Sequence, residues 1–121
     1  MDIEQLREYC LNKAGSTESM PFGNDTLVFK VGEKIFLLVG LDQHPIRFNV
    51  KCDPDLAPEL REQYPYNILP GYHMNKKHWN TIVCNKGLPE KLSKKMIDDS
   101  YELVLKSLPA VLRKTIKSVS P

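Results

Sequence analysis

The chain changes its hydrophobic period several times, and each change marks an element. Residues 2–14 repeat at helical spacing, with Ile3, Leu6, Cys10 and Ala14 along one face. Asp2 is placed to cap this helix, with Gln5 three positions on as in a capping box, and Lys13 and Gly15 suit its end. Gly15–Asp25 reads as a loop ending in a turn. The β-rich runs 26–31 (TLVFKV) and 35–39 (IFLLV) are separated by Gly32-Glu33-Lys34, the spacing of a tight hairpin. In residues 46–52, Ile46, Phe48, Val50 and Cys52 alternate with Arg47, Asn49 and Lys51, which predicts a strand with one apolar and one polar side.

A second helix begins at Asp53-Pro54 or Asp55, with Leu56, Leu60 and Tyr64 toward the core and Pro65 at its end; Pro58 leaves its start open by about a turn. Residues 65–71 are irregular, 79–84 (WNTIVC) form a strand and Lys86-Gly87 a turn. From Pro89 to Ser107 runs a long amphipathic helix, with Leu92, Met96, Ile97, Tyr101, Val104 and Leu108 repeating on one face. A short helix over 110–118 carries Val111, Leu112 and Ile116 inward and Arg113, Lys114 and Lys117 outward. The order predicts an α+β fold: one antiparallel sheet with helices packed on its apolar face, and Lys30, Arg47, Asn49 and Lys51 facing water on the other. The expected organisation is a single domain over residues 1–121.

Composition narrows the class. With 41% apolar and 26% charged residues the chain matches soluble globular proteins, and no apolar run approaches the roughly 20 residues of a membrane span. The acidic start, MDIEQLREYC, is unlike a signal peptide, so the expectation is a cytoplasmic protein; a monomer is expected as well. Cys10, Cys52 and Cys84 form no C-x-x-C pair and read as reduced, mostly buried thiols. A net charge of +2 permits an anionic partner without requiring one.

The richest chemistry lies in residues 70–81, PGYHMNKKHWNT. Tyr72, His73, Asn75, Lys76, Lys77 and His78 gather hydrogen-bonding, cationic and stacking groups between a turn and a strand. Two readings of the lysines stand side by side: phosphate contacts, with Tyr72 against a sugar or base, or charges that keep the loop soluble. Trp79 is expected to anchor its strand in the core, and Asn75 to brace the loop. Lys30, Arg47 and Lys51 extend the candidate phosphate-binding set on the sheet. With three to five such contacts, the salt slope for duplex DNA is roughly −3 to −4.5. No metal or cofactor is expected: His73 and His78 lack the i, i+4 spacing of a helical ligand pair, and no second pair is near. No catalytic residue is assigned, since Asp98 and Asp99 diverge on a helix and no nucleophile motif occurs.

Several motifs together resemble a known family. They are PFG at 21–23, the VFKV-turn-KIFLLV hairpin at 28–39, KCDP at 51–54, LRE-x-YP at 60–65, PGYHMNKKHWNT at 70–81 and D-x-SY-x-LV at 98–104. Over nearly the whole chain this order is similar to the MmcQ/YjbR family of small bacterial proteins. The resemblance implies a CyaY-like (YjbR-like) fold, similar to the bacterial frataxin homologue, and DNA binding through a "double wing" of hairpins. Iron binding through an acidic first helix does not carry over, because Asp2, Glu4 and Glu8 are partly balanced by Arg7 and Lys13. The expectation is thus a non-enzymatic protein that binds duplex DNA weakly by its backbone. The alternative is a protein-interaction module that uses the exposed sheet face to dock an acidic partner.

Overall fold

A computed structural model describes residues 1–71, 74–84 and 87–118. Helix α1 (Ile3–Leu11) opens with the expected capping box: Gln5 N–H donates to Asp2 Oδ1 at 2.8 Å and Asp2 N–H to Gln5 Oε1 at 2.9 Å. It stops three residues before the predicted end, at a cap on Asn12. Strand β1 (Ser16–Ser19) follows where a loop was expected. Its sequence, STES, has no apolar alternation, because an edge strand can be held by backbone bonds to its neighbour alone.

Strands β2 (Thr26–Val31) and β3 (Lys34–Gly40) form the hairpin. Its turn is Gly32-Glu33, both at positive φ (56° and 68°), as a type I′ connection requires. A Cβ at Gly32 would also stand 2.6 Å from Leu108 Cδ1, so this position is closed to larger residues on two counts. After β4 (Arg47–Lys51), helix α2 (Leu56–Gln63) leads to β5 (Ile68–Pro70) and β6 (Trp79–Val83), and the chain ends with α3 (Glu90–Lys106) and α4 (Ala110–Ser118). The strand order is β1-β2-β3-β4-β6-β5, antiparallel throughout. The α+β expectation therefore holds, with β1 and β5 added as short edges.

Register separates the two sides of the sheet. Leu27 pairs with Val39, Phe29 with Leu37, Leu37 with Val50 and Phe48 with Ile82, all buried under the helices beside Met96, Ile97, Tyr101 and Val104. A bulge interrupts this alternation: Phe29 faces Leu37 but Lys30 faces Ile35, leaving Phe36 as the extra residue. Phe36 turns into the core, its ring 5.4 Å from Tyr101 in an edge-on contact and 6.3 Å from Phe29. The fully buried Ser100 fixes the bulge to the long helix. Its hydroxyl donates to the Phe36 carbonyl at 2.6 Å and accepts the Lys51 N–H at 2.8 Å.

Four inward assignments are corrected, among them Leu112, which is exposed beside Val111 on α4. Leu56 is exposed, and Ala57, one position on, fills the core contact of α2. Val111 is exposed on α4, where Ile116 carries the burial. Trp79 is half-buried and stands opposite Lys51, because strand alternation sends its neighbour Asn80 to the helix side.

Candidate functional site

The side of the sheet away from the helices is built from the alternate residues of the same strands. One row crosses it as Ser19, Val28, Leu38, Asn49, Thr81 and Leu69, each paired with the next. On either side of this row lie Lys30 and Ile35, Lys51 and Trp79, and Arg47 and Val83. The charged residues at these strand positions are Lys30, Arg47 and Lys51; no acidic residue shares the open side of a strand. Lys30 and Lys51 are two strands apart, on the order of 10 Å, and Arg47 lies four residues along from Lys51, about 13 Å.

This side is less bare than expected. Arg47 is exposed, but Lys30, Asn49 and Lys51 are half-buried and Val28 is fully buried. A groove of about 400 Å3 crosses the open side. Its sheet-derived walls are Thr26, Ile35, Leu38, Val39, Gly40 and Asn49, and its rim comes from three loops: Phe22, Gln43 and Met74. The Phe22 side chain is 63% exposed. The bulge is what brings Ile35 and Leu38 to one side, although they are three residues apart. Asn49 is oriented by Thr81, whose hydroxyl donates to Asn49 Oδ1 at 2.6 Å. Asn49 Nδ2 has no acceptor among the described residues, so its donors remain available to a ligand.

The loop before β6 joins this surface at the Lys51 end. Cys52 N–H donates to the His78 carbonyl at 2.7 Å, and Lys51 pairs with Trp79. Asn75 braces the turn as the sequence suggests: its side chain accepts the Lys77 N–H at 2.9 Å, and its carbonyl accepts from His78 and Trp79. Gly71 lets the two arms of the loop close, since a Cβ there would come within 2.9 Å of Trp79 Cβ. Lys76 and Lys77 are exposed and His78 is half-buried. Tyr72 and His73, also expected at the site, lie outside the described residues. Sequence reasoning missed Phe22, Gln43 and Met74, which join the site only through folding; the one available signal was PFG at 21–23.

The helix side is electrostatically different. Arg7 makes a two-pronged contact with Glu18, Nε to Oε2 at 3.0 Å and Nη2 to Oε1 at 2.6 Å, which raises the arginine and holds the Glu18 carboxyl below the usual range. Lys13 pairs with Asp98, Lys94 with Glu90 and Lys95 with Asp99. Tyr9 donates to Asp98 at 2.7 Å, and burial together with that carboxylate pushes its phenol up to about 12. Burial also raises all three thiols, Cys10 to about 12. These groups therefore stay protonated near neutral pH. Among the described residues no three His, Cys, Asp or Glu side chains converge as a metal site would require.

Fold and surface together define an α+β module with one helix-covered side and one cationic, loop-rimmed side. The chain belongs to the YjbR family, whose profile matches residues 11–103. It is 30% identical over 116 residues to the uncharacterised protein YjbR of Escherichia coli strain K12, spanning 96% of this chain and 98% of that protein. It is 41% identical over 88 residues to YbdF of Escherichia coli O157:H7, across 73% of this chain and 71% of YbdF. The crystal structure of Deinococcus radiodurans protein DR2400, a DUF419 domain, superposes with a TM-score of 0.90 at 38% identity, covering 95% of this chain and 87% of that one. A structure from Pseudomonas syringae matches with a TM-score of 0.69 at 27% identity, over 86% of this chain and 99% of that one.

Proposed function

We propose that this protein is a non-enzymatic DNA-binding module that holds the phosphate backbone across the open side of its sheet. The observation that carries the reading is the set of unpaired cations gathered on one side of the sheet. Among the described residues the pairs between side chains lie on the helix side, where Arg61, Lys91, Lys106, Lys114 and Lys117 are unpaired as well; Lys30, Arg47, Lys51, Lys76 and Lys77 have no carboxylate partner either, and they gather on and beside the open side. Cations without internal partners remain available to phosphates, and their attraction to a polyanion depends on counterion release. The absence of acidic residues from the open strand positions supports the same reading. The raised thiols and the Tyr9 phenol are held protonated at neutral pH, so none of these four groups is an activated nucleophile there.

The test is a fluorescence-anisotropy titration of labelled DNA at low and near-physiological salt. Binding is expected to weaken with salt along a log–log slope of roughly −3 to −4.5. A Lys76→Ala/Lys77→Ala protein should bind more weakly and with a slope about 2 shallower. Salt-independent binding, or binding untouched by these substitutions and by Lys51→Ala, would remove the basis of the reading.

A second reading rests on the exposed Phe22, with Met20 and Leu41 exposed in the flanking loops. An apolar patch beside cations also suits a protein partner of acidic character.

A further inference from the structure

We infer that the groove on the open side of the sheet takes an unpaired nucleobase, so that the preferred ligand is a single strand and not a duplex. The inference rests on the nucleic-acid reading and adds the form of ligand that the groove fits. A duplex keeps its bases stacked inside and offers phosphates and grooves outward, which would engage the cations and leave a cleft of about 400 Å3 unfilled. A single strand turns its bases outward, and stacking on an exposed side chain is the general way such bases are held.

The lining suits that occupant. Ile35, Leu38 and Met74 supply apolar surface, and the Phe22 ring stands at the rim with most of its area in water. Asn49 supplies the polar contact. With its Oδ1 accepting from the Thr81 hydroxyl, its amide is held in one orientation, and its free N–H groups suit a base carbonyl or ring nitrogen. Charge completes the match: Arg47 lies toward one end of the groove and Lys30 and Lys51 toward the other, placing cations where the phosphates flanking a seated base would run.

The experiment titrates the full chain, at low salt, with labelled oligo-dT, an oligo-rU of equal length, a duplex of equal length and an abasic strand. The single strands should bind roughly tenfold more tightly than the duplex and the abasic strand, in keeping with one stacked base. Because dT and rU differ in the base methyl as well as the 2′-hydroxyl, an oligo-dU of equal length set against oligo-rU identifies the backbone. Phe22→Ala, at an exposed position where folding is not at risk, should erase most of that tenfold advantage while leaving duplex and abasic affinity unchanged. Lys51→Ala should weaken all five ligands together. If the abasic strand or the duplex binds as tightly as oligo-dT, or Phe22→Ala changes nothing, the nucleobase inference falls and the backbone reading stands. If none of the five binds, both fall, and the groove passes to the protein-docking reading.

Discussion

The two sides of one sheet are made from alternate residues of the same strands, and they have been put to opposite uses. On the helix side, Phe29, Leu37, Phe48, Val50 and Ile82 are buried almost completely, and Arg7, Lys13 and Lys95 are paired with carboxylates. On the open side the same strands contribute Lys30, Arg47, Lys51 and Asn49 in and around a groove of mixed polar and apolar lining. On the proposed reading, stability and recognition are thereby separated by a single step along each strand. A surface that carries no part of the main core can keep exposed apolar area and unpaired charge without unfolding the protein.

The largest expected effect tests that separation directly. Phe36→Ala removes a fully buried ring that packs on Phe29 and Tyr101, and should cost about 3–5 kcal/mol in denaturant unfolding. Leu38→Ala, two residues along but half-buried on the other side, should cost distinctly less. Equal losses would show that the open side is a second core and would break the comparison.

How the sequence announces each side follows from how each is built. The β2–β3 hairpin, the alternation of β4 and the long α3 were legible because the burial of one side leaves a periodic imprint on the residues. Strands β1 and β5 left none: STES is held by backbone pairing, and Ile68–Pro70 is too short for a period to show. Trp79 was misplaced because size suggested a core residue, whereas the pleat assigns the helix side to Asn80. The cations of the open side could be named from residue type and alternation. The groove could not, since Phe22, Gln43 and Met74 come from three separate loops and the bulge at Phe36 shifts Ile35 out of the regular alternation.

A middle-sized effect concerns the link between the two sides. Ser100 lies under the helix side, yet it holds the backbone of Phe36 and of Lys51, whose side chain belongs to the open side. Ser100→Ala leaves the Phe36 carbonyl and the Lys51 N–H without this partner, for an expected loss of about 1–3 kcal/mol. Faster hydrogen exchange at the Lys51 amide would localise the change. Unchanged exchange there would mean that other bonds hold β4 and that the hydroxyl is incidental.

The smallest effect is electrostatic and belongs wholly to the helix side. Glu18 is held below the ordinary carboxylate range chiefly by its hydrogen bonds with Arg7, with burial opposing the shift. A group whose folded pKa is lowered adds stability above its unfolded pKa, near 4.3 for glutamate, and loses it as the pH falls through the folded value. Wild type should therefore melt slightly above Glu18→Gln at neutral pH, and the gap should narrow as the pH drops below about 4.3 and close near the acid limit. If the proposed DNA binding holds, the same substitution should leave that affinity unchanged, because the Arg7–Glu18 pair ties α1 to β1 on the side turned away from the groove. A melting gap that stays constant with pH would show that the carboxylate charge is not what the arginine reads. A change in DNA affinity would show that the two sides are coupled through β1.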